Sequence, residues 1–150
     1  LIFDEVPADN NQENGLFQEG NNYYLLFGQF GWCNIDRFHN DARPKTTILV
    51  DVPTGYDNQN SAVYVSFDEE GTSLANLDTF TEQGYFSEHY GQIPIGLQCH
   101  IIFVTEEDGM YRYAIKPVVI AADQITTFTF SETVTGTEAQ LAAAITATQN

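Results

Sequence analysis

The chain has 150 residues, 43% of them hydrophobic and 13% aromatic, enough for one domain with its own core and no need of a disulfide or metal to fold. Five Lys+Arg against 21 Asp+Glu give a net charge of −16, a field that repels nucleic-acid phosphates and anionic lipid surfaces. No run approaches the roughly 18 apolar residues of a membrane-spanning helix, so neither membrane insertion of the domain nor a nucleic-acid partner is expected.

In chain order, Leu1-Ile2-Phe3-Asp4 opens without Met and without the basic start and apolar middle of a signal peptide, as in a mature or trimmed form. Residues 4–22 are rich in Asp, Glu, Asn, Gln and Gly, and 1–22 read as a loosely ordered leader or the end of a preceding segment. Residues 23–150 read as the folded domain. Tyr23 to Trp32 is apolar and aromatic, long enough for a strand with a bulge at Gly28 or Gly31. Pro44 holds Arg43 extended in the loop that follows.

Thr46 to Val52 is a β-branched run bounded by Pro53, and the spacing predicts one strand. Ala62 to Phe67 is the next, with Val63, Val65 and Phe67 on one face. Leu74, Leu77 and Phe80 recur every third residue and suggest a short helical turn. Tyr85-Phe86 reads as an edge strand. Leu97 to Val104 and Met110 to Lys116 flank Asp108-Gly109, the strongest local hairpin signal, and Pro117 should limit pairing. Gln124 to Phe130 alternates, with Thr in the outward slots.

Thr135 and Glu138 have capping-box spacing before the Ala-rich segment to Thr148, which predicts one C-terminal helix. Strands first and one helix last predict a mostly β fold, an antiparallel β-sandwich of prealbumin-like or immunoglobulin-like kind with one short C-terminal helix.

The string Gly31-Trp32-Cys33-Asn34-Ile35-Asp36-Arg37-Phe38 resembles a Gly-Trp-(aliphatic)-Asn-X-Asp-Arg-Phe motif of uncharacterised exported and surface proteins of Bacteroidetes. Asn40 to Thr46, Ile93-Pro94-Ile95-Gly96 and Asp108 to Lys116 look like continuations of the same family, so the similarity runs from about Tyr23 to the C-terminus. In those relatives Cys often stands where this chain has Ile35, and an aliphatic residue where it has Cys33. The resemblance implies export to the periplasm, cell surface or extracellular space, and no activity. Gly96 to Phe130 also looks like the prealbumin-like sandwiches appended to other exported proteins, an analogy of fold alone.

The candidate binding or structural motif is Trp32, Asn34, Asp36, Arg37, Phe38, Arg43 and Lys45. Three of the five cations fall in it, and forked Arg donors could hold a carboxylate or sulfated ligand. Pairing with Asp36 and Asp41 to fix the loop is the weightier reading, since structural ion pairs are common. Trp32 with Phe30 and Phe38 could stack a sugar, or simply be core.

Cys33 and Cys99 could form a disulfide worth very roughly 3–5 kcal/mol, or stay as buried thiols. His39, His89 and His100 lack the tight spacing of a zinc site. The acidic turns at 68–71 and 106–109 lack a calcium-ligand ladder. No metal or cofactor is expected. No nucleophile-elbow or phosphate-loop signature occurs.

The resulting expectation is a non-catalytic accessory or interaction domain of an exported protein, with an unknown protein or glycan partner. The alternatives are a carbohydrate-binding module and, last, a small hydrolase built on two carboxylates.

Overall fold

A computed structural model describes residues 31–32, 38, 40–68 and 73–148. The leader over 1–22, the start of the first strand at 23–30, and the motif residues Cys33, Asn34, Asp36 and Arg37 lie outside the described residues, as does His39. Among those described, the fold is mostly β, its ladders mostly antiparallel, with one C-terminal helix.

The strands, in chain order, are β1 (Gly31–Trp32), β2 (Lys45–Thr46), β3 (Leu49–Asp51), β4 (Ser61–Phe67), β5 (Ser73–Asn76) and β6 (Thr79–Phe80). They continue with β7 (Tyr85–Ser87), β8 (Ile93–Pro94), β9 (Gln98–Glu107), β10 (Met110–Val119), β11 (Ile125–Thr127) and β12 (Val134–Gly136), and helix α1 (Glu138–Ala147) closes the order. A six-stranded sheet runs β1-β5-β4-β9-β10-β12, a four-stranded sheet β11-β3-β7-β6, and β2 pairs β8 alone. Two edge pairs, β1 with β5 and β11 with β3, are parallel.

Period-two alternation along β4 explains the layering. Val63, Val65 and Phe67 face one core with Ile101 and Phe103 of β9, and Val50 and Phe86 of the four-stranded sheet close it from the other side. Ala62 and Tyr64 face the opposite way, with Ile102, Val104 and Leu74, and there Leu141 and Ile145 of α1 cover them. Every β4 residue is therefore buried. The strand is apolar throughout because both its faces are covered, a pattern commoner in parallel sheets.

The Asp108-Gly109 hairpin forms as expected: both residues take positive φ, 55° and 79°, the mirror-image turn that matches strand twist. Pro117 does not stop β10, which pairs with β9 through Pro117↔His100 to Val119↔Gln98. On its other side β12 meets only Tyr111 to Tyr113, so the proline lies where that edge has no neighbour.

Further expectations need correction. The Thr46–Val52 run is two strands in different sheets, because β2 turns to pair with β8 while β3 joins β7. The three-residue spacing of Leu74, Leu77 and Phe80 is not helical: Leu74 lies on β5 under α1, and Leu77 crosses to the other core as its N–H bonds Val63 O (3.0 Å). Strand β7 is internal, between β3 and β6. Along β11 Thr126 points inward opposite Val50 while Ile125 is exposed, and after the buried Phe128 the chain turns into a 3-10 turn at Phe130–Glu132.

The helix itself is as expected, but Thr137 is its N-cap: its hydroxyl accepts from Gln140 N, and Gln140 Oε1 accepts from Thr137 N. Thr135 is spent in β12.

Candidate functional site

The motif loop is closed on itself. Asp41 Oδ1 accepts from Arg43 N (2.9 Å) and Nε (3.0 Å), Oδ2 accepts from Arg43 Nη2 (2.8 Å), and Lys45 Nζ donates to Asp41 O. The Arg43 hydrogen bonds hold the Asp41 carboxyl far below the usual carboxylate range. Pro44 O then accepts from Ile95 N (2.8 Å), tying the loop to the end of β8.

Phe38 is buried in the core, edge-on to Phe67 with centroids 5.0 Å apart. Of the seven motif residues, then, Phe38 packs the interior, while Arg43 and Lys45 brace a loop through Asp41. Trp32 is placed as part of β1, beside Leu74 of β5.

The remaining described cations, both on β10, are engaged as well. Arg112 donates from Nε to Glu107 Oε1 (3.0 Å) and from Nη1 to Thr133 Oγ1 (2.9 Å), with its guanidinium 4.3 Å from the Phe130 ring centroid. Four residues on, Lys116 pairs with Glu132 (3.1 Å) and reaches Thr127 O. Alternation puts both on one face of β10, where they strap segment 127–133 along the side of the two sheets.

Cys99 lies at the floor of a shallow cavity of about 160 Å³, lined also by Asp68, Gln98, Pro117, Val118 and Val119. It is a free thiol, 1% exposed, and burial pushes its pKa up to about 12, with a lesser push from Asp68. His100 pairs with Asp68 (3.1 Å) but points to the opposite face of β9 from Cys99. A protonated thiol and an imidazole on opposite sides of a strand do not form a nucleophile–base pair. Among the described residues no group of three His, Cys, Asp or Glu could hold a metal ion.

Two features escaped the sequence reading. The first is the turn after β7. Glu88 is 3% exposed; its Oε1 accepts from Tyr90 N (2.8 Å) and Gly91 N (3.0 Å), and its Oε2 is buried with no hydrogen-bond partner among the described residues. Beside it, His89 stacks on Tyr90 (centroids 4.1 Å) and meets Asp78 at 3.3 Å. The available signal was parity, since Glu88 follows Phe86 in the inward slot.

The second feature is a run of exposed apolar residues, Ile125, Phe130 and Val134. They fall within ten residues of chain, on and between β11 and β12, each the edge strand of its own sheet. The chain matches no protein-family model, no curated protein and no solved structure.

Proposed function

We propose that the chain is a non-catalytic interaction domain of an exported protein, built on a sandwich frame of prealbumin-like or immunoglobulin-like kind, and that it holds a protein partner. One observation carries the reading: three of the five large hydrophobic side chains exposed among the described residues, Ile125, Phe130 and Val134, cluster on segment 125–134. Large apolar groups held in water at one side of a domain mark surfaces that a partner covers. Each of the four described cations is already engaged, which favours apolar contact over capture of an anion. The buried, protonated Cys99 favours binding over nucleophilic chemistry. The export part rests on the resemblance at Gly31–Phe38.

A second reading, a carbohydrate-binding module, draws on the exposed Tyr90 ring stacked on His89. Panning a displayed library of protein fragments against the domain, beside a glycan array, separates the two. The expected result is fragments whose affinity falls about tenfold in Phe130→Ser and Val134→Ser, with melting unchanged in Val134→Ser and lowered only slightly in Phe130→Ser, which loses its contact with Arg112, since apolar anchors near an interface centre cost about 1–2 kcal/mol or more. Binding only to glycans, insensitive to both changes, would replace this reading with the second.

A further inference from the structure

We infer that the partner is held as an added β-strand, an extended segment with basic flanks that pairs with the open edge of β10 from Ala114 to Val119. The inference rests on the interaction-domain reading and names how the partner is gripped.

Strand β10 runs from Met110 to Val119 and pairs with β9 over its whole length. On its other side β12 pairs only with Tyr111 to Tyr113. The six residues beyond Tyr113, about 20 Å of strand, have no neighbour on that edge among the described residues. Parity fixes which backbone groups the edge presents. The two-residue turn at Asp108-Gly109 makes Glu107 and Met110 a hydrogen-bonded pair, and past the far end of the ladder Ile120 N still donates to Leu97 O (2.9 Å). The even-numbered residues of β10 therefore bond β9, and Ile115, Pro117 and Val119 turn their backbone groups outward. Ile115 and Val119 each offer an N–H and a C=O, and Pro117 offers a C=O alone. Unmet donors and acceptors over the length of an ordinary strand are a template for another chain.

The side chains define what that chain carries. Ile115 packs against the cluster under α1, whereas Pro117 and Val119, on the same face, are exposed, Val119 by 56%. Residues directly opposite them in an added strand put their side chains on this face too, so apolar residues suit alternate positions. The added strand would lie in line with β12, whose first residue is the exposed Val134, so the edge runs on from the apolar patch at 125–134. Lys116 does not guard the edge, because its amine is held by Glu132 and Thr127 O. A second copy of this chain fits poorly: each carries −16, and two such edges crossed at Pro117 would set proline against proline, neither with an N–H. The same charge favours a segment with lysine or arginine flanks.

The test is amide hydrogen exchange of the full chain, followed by NMR, with a capped Lys-Val-Thr-Val-Thr-Val-Lys peptide. At saturation the Ile115 and Val119 amides should exchange about tenfold more slowly, the scale of one ordinary hydrogen bond, while Tyr113, already paired with β12, should not change. N-methylation of the valine nitrogens should abolish the slowing and N-methylation of the threonine nitrogens should leave it, because only the valines aim N–H groups at β10. A glutamate-flanked version should bind about tenfold more weakly. Val119→Pro removes one donor at an edge position that tolerates proline and should weaken the peptide about threefold. If that variant fails to fold, the methylated peptides still decide. No saturable slowing at Ile115 and Val119, equal effects of the two methylations, or tighter binding of the glutamate form would overturn the proposal. So would slowing that grows with protein concentration alone, the mark of a second copy. Fragments whose binding depends on Phe130 but leaves these amides unprotected would remove the strand and keep the partner; loss of both would remove the reading beneath it.

Discussion

Tyr56 and Glu107 are 51 residues apart in sequence, yet the Tyr56 hydroxyl donates to Glu107 Oε2 at 2.6 Å. Glu107 also accepts from Arg112, so one carboxylate joins the loop before β4 to the tip of the β9–β10 hairpin. The Tyr56 ring sits edge-on to Phe103, with centroids 5.4 Å apart. Tyr56→Phe keeps that ring contact and removes the bond. Urea unfolding should show a loss of about 1 kcal/mol, the net worth of an ordinary hydrogen bond. Tyr56→Ala should cost about 2 kcal/mol or more, since the packing goes too. Equal losses in both would show that the ring contributes nothing.

The same network sets the response to acid. Tyr56 first, then Arg112, holds the Glu107 carboxyl below the ordinary glutamate value. The Thr129 N–H, then Lys116, does the same for Glu132. A carboxylate with a depressed folded-state pKa adds stability above its unfolded value and loses it as the pH falls through the folded one. Melting temperature should therefore decline below about pH 4.5, the ordinary glutamate range. Glu107→Gln should flatten part of that decline; a parallel acid curve would mean that Glu107 takes no part.

Alkali acts on a different set of groups. Burial raises Cys99 to about 12 and Tyr111 to about 12, and raises Tyr56 as well. For these groups the neutral form is favoured in the fold, so their contribution is complete below the unfolded pKa and fades as the pH climbs towards the folded one. Stability should fall from about pH 9 upwards, beginning with the thiol. In a Cys33→Ser background, Cys99 should resist aromatic disulfide reagents at pH 8 until urea unfolds the chain. Rapid labelling of the native protein would show that the thiol is not buried.

These tests fall on features that differ in how far the sequence showed them. The Asp108-Gly109 hairpin and the two-faced pattern of Val63, Val65 and Phe67 were legible because turn chemistry and side-chain parity are local. The break between Thr46 and Leu49 was not, because β-branched residues suit either strand and only the partners, β8 and β7, part them. Leu74 and Leu77 misled because three-residue spacing also arises when a strand hands its chain from one core to another. At the motif loop, the pairing of Arg43 with Asp41 was readable from proximity in the chain. The exposed Phe130 and the buried Glu88 reverse the usual assignment of apolar and charged residues, and only the parity of Glu88 with Phe86 pointed to its burial.

Helix α1 gives the last prediction, because it decides whether β4 needs cover on its second face. Leu141 and Ile145, both 0% exposed, join Tyr64, Leu74, Ile102 and Val104 in one cluster. Leu141→Ala should cost about 2–5 kcal/mol, the range for truncating a fully buried aliphatic side chain. Thr137→Ala removes only the N-cap hydroxyl and should cost about 1 kcal/mol. If the helix were a loose appendage, both changes would reduce helical circular dichroism and leave the urea midpoint of the sheets in place. If it is the second lid of the six-stranded sheet, the midpoint moves with Leu141→Ala and helical circular dichroism is lost in the same transition. The ten helix residues, Glu138–Ala147, follow every strand in the chain, so refolding of Leu141→Ala should also slow if the helix docks in the transition state.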